Sequence, residues 1–98
     1  MKKYNIVLKE AFHYDLNYIQ DIIFRFTFSK ETVKKIIDSI YIHIYSLSIL
    51  PYRYVSYKNF RVITIRKKYK VFYKINETKW EVQIYRILFS SSNYQNVL

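Results

Sequence analysis

Residues 60–89 read FRVITIRKKYKVFYKINETKWEVQIYRILF, three runs in which apolar and polar side chains alternate, broken at Lys67-Lys68 and again at Asn76-Glu77-Thr78-Lys79. A period of two marks strands that bury one face, and short polar breaks between such strands mark hairpin reversals. The pattern predicts strands at 60–66, 69–76 and 80–89 joined as an antiparallel meander, with a shorter run at 53–57 before them. The chain contains no Gly, so Asn76 is the residue best suited to a positive φ at the second reversal.

Upstream of the meander the period changes. Tyr4, Ile6 and Leu8 alternate with Asn5, Val7 and Lys9, which predicts a partly buried strand over 4–9. Phe12, Leu16, Ile19 and Ile23 then recur at helical steps, with Ile22 and Phe26 widening the stripe, so 11–27 is expected to be an amphipathic helix ended by Phe28. Ser29 is placed to cap a second helix, over 30–48, with Glu31 in its first turn. Its seam is Val33, Ile37, Ile40, Ile44 and Leu47; Ser46 and Ser48 weaken the last turn, and Pro51 closes the element. Strand, helix, helix and antiparallel strands make an α+β plan in one domain, 1–98, with the helix pair on one sheet face and the other face open to a partner.

Charge is distributed unevenly over these elements. Residues 1–50 hold seven basic and five acidic side chains, whereas 51–98 hold ten and two. From Arg53 to Lys79 there are nine Lys or Arg against one acid, Glu77. Interleaved with Tyr, Phe, Val and Ile, they predict a basic, aromatic sheet face suited to an anionic partner. Apolar residues make up 51% of the chain, too many for a disordered basic tail. The absence of Cys excludes disulfides, thiolate metal sites and a cysteine nucleophile, and makes the cytoplasm the expected compartment. No apolar run approaches the length of a membrane span, and no membrane partner is expected.

Asp15-Leu16, Ile19, the Ile40/Ile44/Leu47-x-x-x-Pro51 stretch, Phe60-Arg61-Val62, Tyr69-Lys70-Val71-Phe72-Tyr73, Val82-x-Ile84-x-Arg86-Ile87-Leu88 and the ending Asn93-Tyr94-x-x-Val97-Leu98 occur in an order that resembles the RelE/ParE toxin superfamily over nearly the whole chain. That resemblance implies the toxin of a type II toxin–antitoxin pair, neutralised by a cognate antitoxin. One branch of the superfamily cuts messenger RNA on the ribosome without a metal, its basic residues neutralising phosphate while a Tyr, His or acid assists the proton of the attacking 2′-OH. The ParE branch poisons DNA gyrase instead. The sequence favours gyrase inhibition, because residues 90–93 lack the ionisable groups of the nuclease branch, over messenger RNA cleavage or a nontoxic antitoxin-binding role, and leaves open whether the protein is an enzyme. No cofactor or metal is implied by either branch.

For the nuclease reading the candidates are Lys70, Arg61 and Tyr94. Lys70 falls where the RNA-cutting branch has an Arg, keeping the charge and losing the guanidinium fork. Arg61 matches a basic residue near the start of the second sheet strand, and its stem is also placed to cover apolar surface. Tyr94 matches the terminal Tyr. For contact with target or antitoxin the candidates are Arg61, Arg66, Lys67, Lys68, Lys70, Phe72, Lys74 and Arg86. Lys70, Phe72 and Lys74 share a strand face, where Phe72 is expected either to stack on a base or to be an ordinary core residue. Arg86, nominally aligned with Val82, Ile84 and Leu88, needs Glu81, Asp38 or a C-terminal carboxylate as partner, unless it meets an anionic target. The segment Ser90-Ser91-Ser92-Asn93 departs from the nuclease pattern: it holds no ionisable group to act as a general acid. His13 and His43 lie on predicted helices, with no paired ligand or acid beside them.

Overall fold

The computed structural model describes residues 3–92, 94–96 and 98; Asn93 and Val97 of the terminal motif lie outside the described residues. Elements follow in the order β1 (Asn5–Leu8), α1 (Glu10–Thr27), α2 (Lys30–Ser46), a 3-10 turn (Pro51–Arg53), β2 (Val55–Tyr57), β3 (Phe60–Ile65), β4 (Tyr69–Asn76), β5 (Glu81–Phe89) and a second 3-10 turn (Tyr94–Asn96). The five strands form one sheet, ordered β1-β5-β4-β3-β2. β1 runs parallel to β5, and every other pairing is antiparallel.

α1 buries the expected stripe, Phe12, Leu16, Ile19 and Ile23, against Ile40, Ile44 and Leu47 of the α2 seam and against Ile63, Ile65, Val71, Tyr73, Val82, Ile84 and Ile87 of the sheet. The stripe is narrower than its sequence suggests. Ile22 is half-buried and Phe26 is 83% exposed, because the α1 surface beyond Ile23 turns away from both partners. Phe28 ends α1 in the left-handed region at φ 51°, its N–H bonded to the Phe24 carbonyl. Ser29 caps α2 by accepting the Thr32 N–H. α2 stops at Ser46, earlier than Pro51 would require. The Ser46 hydroxyl donates to the His43 carbonyl at 2.6 Å, and the Ser48 carbonyl accepts the Tyr4 N–H at 2.7 Å, tying the end of the helix to the chain entering β1.

The reversals solve a Gly-free problem differently from expectation. At the β3–β4 turn Arg66 and Lys67 both take positive φ, 56° and 60°, and Lys68 N–H closes the turn on the Ile65 carbonyl. At the β4–β5 turn it is Trp80, not Asn76, that adopts positive φ; Asn76 instead accepts the Lys79 N–H through its side chain. A residue locked by that Asx-type bond has no need of the left-handed region.

β5 carries a register shift against β4. Phe72 faces Arg86 while Tyr73 faces Ile84, leaving Tyr85 as the extra residue. The bulge breaks the nominal Val82–Ile84–Arg86–Leu88 face: Ile87, not Arg86, follows Ile84 into the core.

The sheet face away from the helices is not an open platform. Phe72 and Val62, opposed across β4 and β3, are buried there beneath Tyr57, Phe60 and Tyr94, forming a small second core. Among the described residues no helix is long and apolar enough to cross a membrane.

Candidate functional site: a lysine-rimmed aromatic face

Alternation along β3 and β4 puts Phe60, Val62 and Thr64 beside Lys74, Phe72 and Lys70 on the face opposite the helices. The aromatic members interlock, some edge to face and Tyr94 tilted against Phe72. Phe60 meets Phe72 at 6.2 Å and Tyr85 at 5.6 Å between ring centroids, and Tyr94 sits 5.5 Å from Phe72 and 5.4 Å from Tyr57. Four lysines rim this cluster. Lys74 Nζ lies 4.8 Å from the Phe60 ring centre and 5.1 Å from that of Tyr85; Lys9 Nζ lies 5.7 Å from Tyr85; and Lys58 Nζ lies 5.6 Å from Tyr57. Ring faces carry partial negative charge, so they hold the ammonium groups in place without neutralising them. Lys58 also donates to the Gln95 carbonyl at 3.1 Å, fastening the Tyr94–Asn96 turn over the cluster.

Lys70, the fourth, donates to Thr64 Oγ1 at 3.2 Å. Lys70 and Tyr94 line one cleft of about 130 Å³, together with Val55, Ser56, Tyr57, Val62, Thr64 and Phe72. Among these lining residues there is no carboxylate, imidazole or guanidinium. The cleft can offer an anion one ammonium and several hydroxyl groups.

Arg61 does not line the Lys70–Tyr94 cleft; it borders a separate cavity with Lys58, Phe60 and Lys74. Side chains alternate across β3, so Arg61 projects to the helix side with Ile63 and Tyr73, where NH1 donates to the Tyr52 and Tyr54 carbonyls at 3.1 and 2.8 Å and the guanidinium stacks 4.9 Å from the Tyr52 ring centre. These contacts tie Arg61 to the segment between α2 and β2. Phe72 has no exposed surface, so its ring is not available to stack on a base. Arg86 finds a partner none of the sequence candidates named. Nε and NH2 donate to Asp15 at 2.6 and 2.9 Å, and the same carboxylate accepts the Ile87 N–H at 3.1 Å. The pairing raises the Arg86 pKa. Arg66, Lys67 and Lys68 are exposed at the β3–β4 tip, apart from the cleft. His43 Nδ1 bonds the Ser39 carbonyl at 2.7 Å, and His13 stands at the edge of the Phe12 ring, both on the helices.

Sequence reading missed Lys9, Lys58, Tyr57, Phe60 and Tyr85 as members of this face. Strand pairing supplies the signal: once Lys74 is placed, hairpin register puts Phe60 directly across from it. Lys9 follows β1 directly and its N–H bonds the Ile84 carbonyl, which brings it beside Tyr85 only because β1 pairs with β5.

No protein-family model matches the chain, and no curated protein sequence is significantly similar to it. Its backbone is similar to a chain of the RelBE2 toxin–antitoxin complex from Mycobacterium tuberculosis, with a TM-score of 0.62 over 94% of this chain and 97% of that one, at 15% sequence identity. The strand, helix hairpin and mainly antiparallel sheet described above are therefore a RelE/ParE-like fold.

Proposed function

We propose that the protein is the toxin of a type II toxin–antitoxin pair, bound and neutralised by an acidic cognate antitoxin, and that it acts by inhibiting DNA gyrase. The fold and the net charge of +10 support the first part, since a strongly basic domain attracts an acidic partner over long range. The observation that carries the second is the separation of Arg61 from Lys70 and Tyr94 on opposite sheet faces. Phosphoryl-transfer catalysis without a metal relies on several donors converging on the developing charge, and here a single ammonium stands where that convergence is needed.

The second reading, ribosome-dependent cleavage of messenger RNA, is favoured by the cleft that Lys70 and Tyr94 share. One experiment separates the two: purified protein in a translating extract with message-end mapping, beside a gyrase supercoiling assay. Gyrase inhibition predicts intact messages and reduced supercoiling. Discrete ribosome-dependent cuts that vanish in Lys70→Ala, with folding unchanged, would establish the nuclease reading instead. Inactivity in both assays, with tight binding to an acidic antitoxin, would identify a nontoxic family member that sequesters antitoxin.

A further inference from the structure

β3 begins at Phe60 while β4 runs on to Asn76, so beyond Lys74 the β3 side of β4 has no strand partner among the described residues. A cavity of about 290 Å³ opens at this overhang, with Ile75 on one side and Lys58 and Asn59 of the β2–β3 turn on another.

Three cations line it, Lys58, Arg61 and Lys74, and no carboxylate does. None of the three forms an ion pair among the described residues. Glu77 is taken up instead by the hydroxyl groups of Tyr4 and Tyr52. Neutral groups hold the cations in place: Lys58 donates to the Gln95 carbonyl, Lys74 lies over the Phe60 ring, and Arg61 lies over the Tyr52 ring. Their charge is therefore positioned without being cancelled. Both hydrogen bonds that Arg61 makes to the Tyr52 and Tyr54 carbonyls leave from NH1, and neither uses the Nε–NH2 edge. That edge is the one through which a guanidinium takes a carboxylate bidentately. Arg86 uses it on Asp15, at 2.6 and 2.9 Å.

The dimensions and the rings decide which anion fits. Small-molecule sites span roughly 300–1,000 Å³, and this cavity stands at the bottom of that range, with room for a side chain more than for a nucleotide. A nucleic-acid ligand also draws on open ring faces for its bases. Here Tyr73 is fully buried, and Tyr52 and Phe60 each already carry a cation, at 4.9 and 4.8 Å from their ring centres. We propose that the cavity receives a carboxylate side chain of an acidic protein partner, gripped by the Nε–NH2 edge of Arg61 and flanked by the ammonium groups of Lys58 and Lys74. This deepens the antitoxin reading and rests on it for the identity of the partner.

Calorimetric titration of the whole protein with hexaglutamate, hexaglutamine and a thymidine hexanucleotide tests the site, at about 0.15 M salt so that long-range attraction is screened. Hexaglutamate is expected to bind and hexaglutamine is not. Arg61→Lys keeps the charge but loses the fork, and should weaken hexaglutamate about fivefold. Lys74→Gln should weaken it about threefold, while Lys35→Gln on the exposed side of α2 leaves it unchanged. Because Lys74→Gln spares the bonds from Arg61 to the Tyr52 and Tyr54 carbonyls, it carries the test even if Arg61→Lys loosens the fold. Equal losses in all three variants would mean attraction by net charge alone and would overturn the site. So would a hexanucleotide that binds more tightly than hexaglutamate with the same dependence on Arg61 and Lys74. The site and the reading it rests on fail separately. An acidic antitoxin whose complex withstands both substitutions, with hexaglutamate left unbound, sinks the site alone; site-dependent hexaglutamate binding by a protein that no acidic antitoxin engages sinks the reading alone.

Discussion

At the scale of single residues, Asp15 is the side chain whose loss should cost the most for its size. Its carboxylate joins α1 to β5 by accepting from Arg86 twice and from the Ile87 N–H, where β5, still paired with β4 on its other side, has run past the end of β1. Asp15→Ala leaves a guanidinium that is three-quarters covered without its counter-charge, and it orphans a backbone donor. We expect about 3 kcal/mol of lost stability in urea denaturation, against under about 0.5 kcal/mol for the exposed Asn17→Ala. Sequence could not have named this pair. The Tyr85 bulge shifts Arg86 off the face that alternation assigns it, and nothing in the pattern announces a bulge.

Tyr73 makes a second residue-scale prediction. It is fully buried with its hydroxyl donating to the Pro51 carbonyl at 2.6 Å, and burial pushes its pKa up to about 12 from 10.0. The folded value is the higher one, so its contribution is complete below pH 10 and is lost as pH rises from 10 to about 12, where the unfolded chain ionises and the folded chain does not. Tyr73 alone should remove on the order of 2 kcal/mol across that window. Tyr52, whose bond to Glu77 likewise pushes it up to about 12, acts in the same direction. Tyr73→Phe should flatten the alkaline part of the stability curve while costing about 1 kcal/mol at neutral pH.

At the scale of elements, both helices and the strands β3 and β4 were legible because their periods run uninterrupted, whereas β2 keeps only Val55–Tyr57 of the run expected at 53–57 and the period of β5 breaks at Tyr85. The turns were not legible, because a chain without Gly must assign positive φ to residues that gain nothing from it. Phe28, Lys58, Arg66, Lys67 and Trp80 all adopt it. Steric contact of Cβ with the backbone makes each such residue cost about 1 kcal/mol or more. The β3–β4 tip concentrates two of them on consecutive cations. Replacing Arg66-Lys67 by Asn-Gly, the pair that fits such a turn, should raise stability by about 1–2 kcal/mol in denaturant midpoint measurements. If the tip contacts an anionic partner, the same change weakens that complex while strengthening the fold. The basic, aromatic character of the second face was also legible, from composition. Its closure was not, since burial of Phe72 under Tyr94 depends on a turn of the chain that leaves no periodic trace.

At the scale of the whole molecule, one core between helices and sheet supplies most of the stability, and a thinner aromatic layer on the far side supports the lysines. Ile40 has no exposed surface and lies in the main core, so Ile40→Asp buries a charge with no partner. A loss of roughly 3 kcal/mol or more is expected in a chemical melt, and a loss below about 0.5 kcal/mol would contradict the seam. The parallel pairing of β1 with β5 also sets an order of events during folding. The helix hairpin and the β3–β4–β5 meander need only neighbours in sequence, and such local structure forms early. β1 must wait for β5, with both helices and three strands intervening, and the Asp15–Arg86 bond, 71 residues apart in sequence, closes with it. Closure of so long a loop is the slow, entropy-limited step. A chain still emerging from the ribosome therefore carries its helix pair with the apolar stripe unsheltered until β5 appears, and in that interval it is most exposed to aggregation and proteolysis.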